Sequence, residues 1–415
     1  MSADAKSLIV HLRSGVKFHD GTPLDAVAAV NILPDALRDF MGPVFDDVEG
    51  VRVTDNSTFE VRFRTASPFV LEGMEVPFRK PGPNVVGTGP YVAAPNSSTE
   101  MRANSDYYLG APIIDRIVVS NYSSVRSAWA ELLRDRIDML FEVGADALES
   151  MAGSNNISTF TYTRHYQYTV ALNTTAPALR SREIRRALNW AVDRSEIVRS
   201  ALKDHGVASS GPLSSHYWAL DRSAPKFEYD VKRATEILGS VQRTATKRSA
   251  TLRFTCLVPP DDVNERVALE LKRQLQNVGV DMAVEEATQD QIVQRTSKGQ
   301  YDALLIELIS GPTLFRPYLV WHSNAPLNFG HFGNATTDTA LDRVRQAPSE
   351  SAYRDAVAGL QQAFIDDPPA IFLAWTVRAR AVSKRFSVQA EEGRDVMSTV
   401  RLWKPGSGYS QVSRN

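Results

Sequence analysis

The segment 168–202, YTVALNTTAPALRSREIRRALNWAVDRSEIVRSAL, constrains the fold most, because its pattern changes twice within one short stretch. Tyr168–Leu172 has the composition of a buried strand, and Pro177 lies in the turn-rich break that follows it. Apolar residues at helical spacing then predict a helix over 181–192, and Asp193 begins a second helix. A strand, a sharp turn and a helix pair are typical of a chain that leaves one lobe and enters another.

Two further stretches predict turns of defined shape. In LRSGVKFHDGTPLDA, residues 12–26, Asp20-Gly21 forms a turn, and the Thr22-Pro23 pair begins a helix that we expect to end before Pro34. GTGPY, residues 87–91, is a tight turn that feeds a strand. His19 and Asp20 are interpreted as turn residues rather than as a metal or acid–base pair.

These three stretches, in their order along the chain, resemble the extracytoplasmic solute-binding proteins of ABC transporters, family 5, which bind peptides, nickel chelates and related solutes. The resemblance extends over nearly the whole chain. It implies an α/β fold of the two-lobed periplasmic-binding-protein type (type II), with mixed sheets flanked by helices and two crossover hinge strands. Lobe I is expected to comprise residues 1–170 and 376–415, and lobe II residues 171–375.

The beginning of the chain departs from the family pattern. Members carry several dozen residues before the block that starts here at residue 8, so lobe I is expected to be truncated at its N-terminus. The resemblance implies a periplasmic or extracellular, membrane-anchored protein. Met1–Ser7 (MSADAKS) lacks the apolar core of a signal peptide, which leaves a misassigned start or a cytoplasmic location as alternatives.

Composition and motifs argue against several classes of function. The formal net charge of −1 gives no electrostatic basis for nucleic-acid binding. Cys256 is the single cysteine, so no internal disulfide can form, and no Cys/His metal spacing occurs. The seven histidines are scattered, and no hydrolase, zinc-protease or nucleotide-binding motif appears. We therefore expect a protein that is not an enzyme and that has no cofactor and no metal.

The crossovers suggest the first ligand contacts. Tyr166 and Tyr168 precede the first crossover, and Trp375 lies at the second. Aromatic side chains there would offer a large apolar surface with a polar tip. We therefore predict Tyr166, Tyr168 and Trp375 as ligand-binding residues.

The strand 301–309 and the loop after it contain the remaining predicted ligand-binding residues. Peptide-binding members of the family have a Gly-Trp block here, followed by an acid that holds the ligand's amino group. In this chain Glu307 takes the position of the aromatic residue, and Ser310 or Gly311 takes that of the acid. Charge-assisted capture of an amine would be lost at that position. Arg316, Trp321 and His322 follow in the chain, and with Glu307 and Ser310 they complete the predicted ligand-binding set.

The resemblance implies a specific function. A small solute, peptide-like or another polar compound, would be captured between two hinged lobes and delivered to ABC permease subunits at the membrane. The protein is expected to be a monomer, and a peptide with a free amine is not expected to be its preferred ligand. The alternative from another class is the ligand-sensing domain of a cytoplasmic transcriptional regulator.

Overall fold

The computed structural model describes residues 1–406 except 3, 145–147, 149–150, 152, 246–250, 312–313 and 392–393. The chain forms two compact units. Unit 1 comprises Met1–Thr65, Gly73–Thr163 and the segment that begins at Val377, and unit 2 comprises Ala66–Glu72 and Arg164–Thr376. The long segment of unit 2 therefore begins at residue 164, whereas the expected lobe II began at residue 171.

Helices and strands are mixed along the whole chain, as the predicted α/β class requires. The helices are α1 (Ala26–Met41), α2 (Phe69–Gly73), α3 (Val125–Leu133), α4 (Arg182–Trp190), α5 (Arg194–Glu196), α6 (Val231–Ala245), α7 (Asp262–Gln276), α8 (Gln289–Ser297), α9 (Phe315–Trp321), α10 (Ala335–Arg345) and α11 (Glu350–Asp366). The strands are β1 (Ser7–His11), β2 (Val48–Asp55), β3 (Thr58–Phe63), β4 (Tyr91–Ala93), β5 (Glu100–Ala103), β6 (Arg116–Val118), β7 (Met139–Val143), β8 (Ile157–Leu172), β9 (Gly206–Ala208), β10 (Leu252–Val258), β11 (Val280–Glu286), β12 (Ala303–Ile309), β13 (Ala370–Ser383), β14 (Phe386–Ser387) and β15 (Lys404–Pro405). None of the helices in the described part of the chain is both long and apolar enough to span a membrane.

Unit 1 is built from small antiparallel sheets. One has the strand order β1-β3-β2, and another has the order β4-β5-β6. β7 pairs with the C-terminal half of β13, with an irregularity in the register between Ala379 and Ala381. The core beneath this pair includes Leu132 of α3, Leu140 of β7 and Ala381 of β13.

Helix α1 corrects the prediction that Pro34 ends the first helix. The helix begins after Asp25, whose side chain accepts a hydrogen bond from Ala28 N, and continues through Pro34 to Met41. Leu33, Leu37 and Met41 are fully buried on one face. Burial of such side chains contributes about 1.5–3 kcal/mol each, which offsets the cost of about 3 kcal/mol for a proline in a helix interior.

Unit 2 is organised around one mixed sheet with the strand order β11-β10-β12-β8-β13. β10 is parallel to both β11 and β12, β8 is antiparallel to β12, and β9 pairs with Ala374–Thr376 of β13. Gly279 follows the end of α7 with a φ of 77°, in the left-handed conformation that glycine adopts readily after a helix. The parallel strands joined by helices α7 and α8 agree with the expected α/β fold.

Helices cover both faces of the unit 2 sheet. On one face Val170 and Leu305 pack with Leu188 of α4 and Leu271 of α7. On the other face Leu304 packs with Ile292 of α8. Alternate residues of a strand point to opposite faces, so the face of each strand residue follows from its position in the sequence.

β8 and β13 each contribute residues to both units. β8 belongs to unit 1 up to Thr163 and to unit 2 from Arg164, and β13 belongs to unit 2 up to Thr376. β13 crosses from unit 2 to unit 1 as one strand. The segment Thr376-Val377 at the crossing has β-forming residues and no turn residue, so the strand continues without a break.

Candidate ligand-binding site

Four residues from four neighbouring strands form a row at one end of the unit 2 sheet. Ile309 of β12 pairs with Tyr166 of β8, and Trp375 of β13 pairs with Val207 of β9. Thr376 Oγ1 donates a hydrogen bond to Tyr166 O (3.3 Å), which places this part of β13 beside Tyr166. We call Val207, Trp375, Tyr166 and Ile309 the strand-end row.

The strand-end row is apolar and partly open to solvent at its two edges. Val207 is 38% exposed and Ile309 43% exposed, whereas Trp375 is only 2% exposed. Among the described residues, the indole Nε1 of Trp375 has no hydrogen-bond acceptor. A buried donor without an acceptor costs about 1–3 kcal/mol, so the row contains one polar atom that a bound molecule could satisfy.

Tyr168 and Glu307 form the next pair inward from the row. They oppose each other across β8 and β12, on the same face as Tyr166. Tyr168 is buried within the main core of unit 2, whereas Glu307 is half-buried at the edge of that core. The carboxylate of Glu307 is therefore the acidic group nearest in register to the row.

Ser310 and Gln167 lie at the same end of the sheet, under the segment 209–212. Ser310 is buried, and its Oγ donates to Pro212 O (3.1 Å). Gln167 is fully buried, and its Nε2 donates to Gly211 O (2.8 Å). The Oε1 of Gln167 accepts no hydrogen bond from any described residue. Sequence reasoning missed Gln167, although a primary amide inside a strand of aromatic and β-branched residues was the available signal.

The remaining predicted residues belong to α9 and its C-terminus. Trp321 is fully buried and packs edge-to-face on Phe372 of β13, with 5.7 Å between ring centroids. Because Phe372 and Trp375 are three residues apart on one strand, their side chains point to opposite faces. Trp321 therefore packs against the face of the sheet opposite to the strand-end row.

His322 and Arg316 accompany Trp321. The His322 ring stacks on Tyr318, with 4.9 Å between centroids, and its Nε2 lies 3.6 Å from Asp342 Oδ2. The Arg316 guanidinium lies 5.3 Å from the centroid of the Phe315 ring. The structure thus brings together Tyr166, Tyr168, Glu307 and Trp375, and it places Arg316, Trp321 and His322 in a second group.

A cavity of about 310 Å³ lies elsewhere in unit 2. It is bordered by the beginning of α4 and the end of α11, through residues that include Arg182, Arg186 and Asp366. None of the predicted ligand-binding residues lines it. Its charged walls and its position separate it from the strand-end row.

The two turn motifs of unit 1 contact each other. His19 Nδ1 accepts a hydrogen bond from Gly87 N (3.3 Å), so its Nε2 carries the proton and donates to Gly89 O (3.1 Å). Lys80 Nζ lies 2.6 Å from Asp20 Oδ2. This contact and the hydrogen bonds from Thr22 lower the pKa of Asp20 to about 2. We call His19, Asp20, Lys80, Gly87 and Gly89 the turn network. The structural interpretation of His19 and Asp20 is confirmed by these contacts.

Comparison with known proteins identifies the family. Residues 1–326 match the model of the bacterial extracellular solute-binding proteins, family 5. The chain belongs to this family. It is therefore the solute-binding component of an ABC importer, and it comes from a family of proteins that bind without catalysing a reaction.

Individual relatives have low sequence identity, but their alignments cover most of this chain. The oligopeptide-binding protein AppA of Bacillus subtilis is 23% identical over 450 residues, covering 95% of this chain and 80% of the relative. The probable D,D-dipeptide-binding periplasmic protein DdpA of Escherichia coli is 22% identical, covering 90% of this chain and 77% of the relative. These matches agree with the resemblance inferred from the turn motifs.

Solved structures show the same fold. NikZ from Campylobacter jejuni, in complex with Ni(L-His), superposes with a TM-score of 0.82 at 21% identity, covering 97% of this chain and 89% of that one. AgaA from A. tumefacien R10, in complex with agropinic acid, gives a TM-score of 0.75 at 18% identity, covering 98% of this chain and 88% of that one. Within the described residues, no group of three or more His, Cys, Asp or Glu side chains is arranged to hold a metal ion.

Proposed function

We propose that this protein captures a small polar solute, and that the strand-end row with Glu307 forms the solute-contacting surface of unit 2. The observation that carries the proposal is the buried Nε1 of Trp375, which has no acceptor in the described part of the chain and lies in the row with Tyr166, near Glu307. These side chains combine an apolar surface with a donor and a carboxylate. Sites for small molecules typically combine mostly apolar walls with a few converging polar groups.

The positions of these residues along the chain support a hinge mechanism. Tyr166 lies two residues after Arg164, where unit 2 resumes, and Trp375 immediately precedes Thr376, where it ends. A small rotation at the two points where β8 and β13 pass from one unit to the other would change the environment of the strand-end row. A solute whose contacts exist only in the closed form would then favour closure, because a ligand shifts an equilibrium by its difference in affinity for the two states.

Ser310 supports the proposal that a free-amine peptide is not the preferred solute. In peptide-binding members the corresponding position is expected to carry an acid, whereas here the Ser310 hydroxyl donates to Pro212 O. A neutral hydroxyl stabilises an ammonium group less than a carboxylate does, because it carries no charge to oppose that of the ammonium group. Glu307 is the carboxylate that remains, and it lies inward of the row.

The experiment is a thermal-shift screen of the purified chain against dipeptides to pentapeptides, sugars, opines and metal chelates. A solute that binds only the native state raises the melting temperature. The affinity of any hit is then measured by calorimetry for the wild type and for Glu307→Gln. We expect Glu307→Gln to weaken binding about tenfold, since a hydrogen bond to a charged group contributes about 1.5–3 kcal/mol.

Glu286→Gln is the matched control, because Glu286 is an exposed carboxylate at the end of β11 in the same sheet. It should leave the affinity within about twofold, as expected for a charge that makes no contact with the solute. A screen without any hit would contradict solute binding. An equal loss of affinity in both variants would contradict the assignment of Glu307 to the site.

Delivery to a permease and the location of the protein are the remaining parts of the proposal. Both are supported by the family, whose members are extracellular, and we propose that the protein works as a monomer outside the cytoplasmic membrane. Co-purification with ABC permease subunits of its host, and dependence of that complex on the solute, would test delivery. Recovery of the protein only in the cytoplasmic fraction of its host would contradict the location.

A further inference from the structure

Arg380 is a buried arginine in the unit 1 half of β13. It is 4% exposed, and two of its three guanidinium nitrogens bind Asp395: Nε donates to Oδ1 (3.0 Å) and Nη2 to Oδ2 (2.5 Å). Burial acts to raise the pKa of Asp395, but hydrogen bonds from Arg380 and Met397 N lower it more, so the net shift is downward. Asp395 is therefore ionised at neutral pH, and the pair is charge-balanced.

Aromatic rings frame this guanidinium. Its central carbon lies 3.7 Å from the centroid of Phe141 and 5.1 Å from that of Tyr162. The irregular register of β7 against β13 lies at this point, and such bulges re-aim side chains. Phe141 is 63% exposed, so the frame has one open aromatic side.

The third nitrogen, Nη1, is buried, and no described residue accepts a hydrogen bond from it. A buried charged donor left without an acceptor costs more than the 1–3 kcal/mol that is typical of a neutral one. Stacking on Phe141 offsets part of this cost, since a desolvated cation–π contact contributes about 2 kcal/mol, but it supplies no acceptor for the N–H group.

The charges around Arg380 select the kind of acceptor. Its own charge is balanced by Asp395, and the neighbouring Arg378 has Glu142 Oε1 at 3.0 Å from its Nε. An incoming anion would therefore add an unbalanced negative charge at a buried position, which is costly. An uncharged oxygen would satisfy Nη1 without that cost.

We propose that Arg380 Nη1 and the face of Phe141 form a solute subsite of unit 1 that takes an uncharged oxygen acceptor, an amide carbonyl or a sugar hydroxyl, next to an apolar or ring surface. The inference rests on the proposed solute-binding function and adds the chemical class of the solute. Nothing in the sequence motifs of the chain indicates this position.

The test uses Arg380→Lys, because lysine keeps a cation for Asp395 but cannot place a third donor at Nη1. Arg385→Lys is the matched control: Arg385 also lies in unit 1, and its Nη2 lies 2.5 Å from Asp138 Oδ1. The probes are an Ala-Phe dipeptide with an acetylated N-terminus and an amidated C-terminus, the same dipeptide with free termini, and cellobiose. Calorimetry on the full chain measures all three.

We expect the blocked dipeptide or cellobiose to bind the wild type more tightly than the free dipeptide does. Arg380→Lys should weaken that binding about tenfold or more, and Arg385→Lys should change it less than about twofold. Phe141→Ala provides a second variant that leaves the Arg380–Asp395 pair intact. It should weaken the same probe about threefold to tenfold, because an exposed aromatic contact is lost.

Several outcomes would overturn the subsite. They are tighter binding of the free dipeptide, unchanged affinity in both Arg380→Lys and Phe141→Ala, or failure of both uncharged probes while another compound of the solute screen binds. In the last case the solute-binding function stands and only the subsite fails. If no compound binds the wild type at all, the proposed function fails together with the subsite.

Discussion

The turn network of unit 1 and the strand-end row of unit 2 differ in how completely their polar groups are satisfied. In the turn network both ring nitrogens of His19 are hydrogen-bonded, and Asp20 is held by Lys80 and Thr22. In the row, Trp375 Nε1 has no acceptor among the described residues. The turn network therefore stabilises the fold through contacts within the chain, whereas the row keeps a donor that, among the described residues, finds no acceptor.

This difference separates two kinds of evidence for function. A closed hydrogen-bond network explains its residues without any partner, so His19 and Asp20 need no chemical role. A buried donor without an acceptor is unfavourable unless something else satisfies it. Substitutions in the turn network should therefore change stability and leave binding unchanged, and substitutions in the row should do the reverse.

The largest expected effect is that of His19→Ala on stability. The variant loses the hydrogen bonds to Gly87 N and Gly89 O, so we expect the free energy of unfolding to fall by about 2 kcal/mol. Urea denaturation measures it. His11→Ala is the control, because His11 is exposed and has one hydrogen bond, to Thr58 Oγ1. Its cost should stay below about 1 kcal/mol. A change in the solute affinity of the folded His19→Ala variant would contradict the claim that the turn network affects only stability.

Trp375→Phe should have a smaller effect, and on binding rather than on folding. Phenylalanine keeps most of the ring but has no N–H donor, so solute affinity should fall about fivefold to tenfold while the unfolding free energy changes by less than about 1.5 kcal/mol. Calorimetry with a solute from the screen measures the affinity. Trp321→Phe is the control in the α9 group, and a similar loss of affinity there would show that the two groups of predicted residues are not functionally distinct.

The smallest effect is expected for Lys80→Met, and only in acid. The pKa of Asp20 is about 2 in the folded protein, below its ordinary value of 3.8, and the Lys80 hydrogen bond is the main cause. A lowered carboxyl pKa adds stability above the ordinary pKa, and that stability is lost as the pH falls through about 2. Lys80→Met should raise this pKa towards 3.8, so acid destabilisation begins at higher pH.

Carboxyl chemical shifts of Asp20 between pH 1.5 and about 5, a range that spans both pKa values, measure the change. Lys17→Met is the control, because Lys17 pairs with Asp106 at 3.5 Å with both side chains exposed. It should leave the pKa of Asp20 unchanged. An Asp20 pKa that stays near 2 in the Lys80→Met variant would show that the hydrogen bonds from Thr22 are sufficient to lower it.

Much of the fold could be predicted because its signals are local. α7 has apolar residues at helical spacing, Asp261 at its N-cap and Gly279 after its end, and all three are readable from neighbouring residues. The length of α1 could not be predicted in the same way. The continuation past Pro34 depends on burial of Leu37 and Met41, which is decided by tertiary packing.

The site was predictable only in part. Tyr166, Tyr168 and Trp375 were chosen for their position near the crossovers, and their placement on one face follows from the pairing of β8 with β12 and β13. Trp321 looked equally suitable, because a sequence does not show which of two buried tryptophans packs on Phe372. Gln167 and Arg380 were missed, because an unsatisfied atom can be recognised only when all its neighbours are known.

The continuity of β13 restricts how such proteins can diversify. Trp375 and Arg380 lie on one unbroken strand, so the chain length between them is fixed. Inserting or deleting one residue between them would reverse the faces of every later residue, removing Arg380 from Asp395. New solute preferences in this lineage should therefore arise by replacing side chains at fixed positions of β13, with changes of length confined to the loops that precede and follow it.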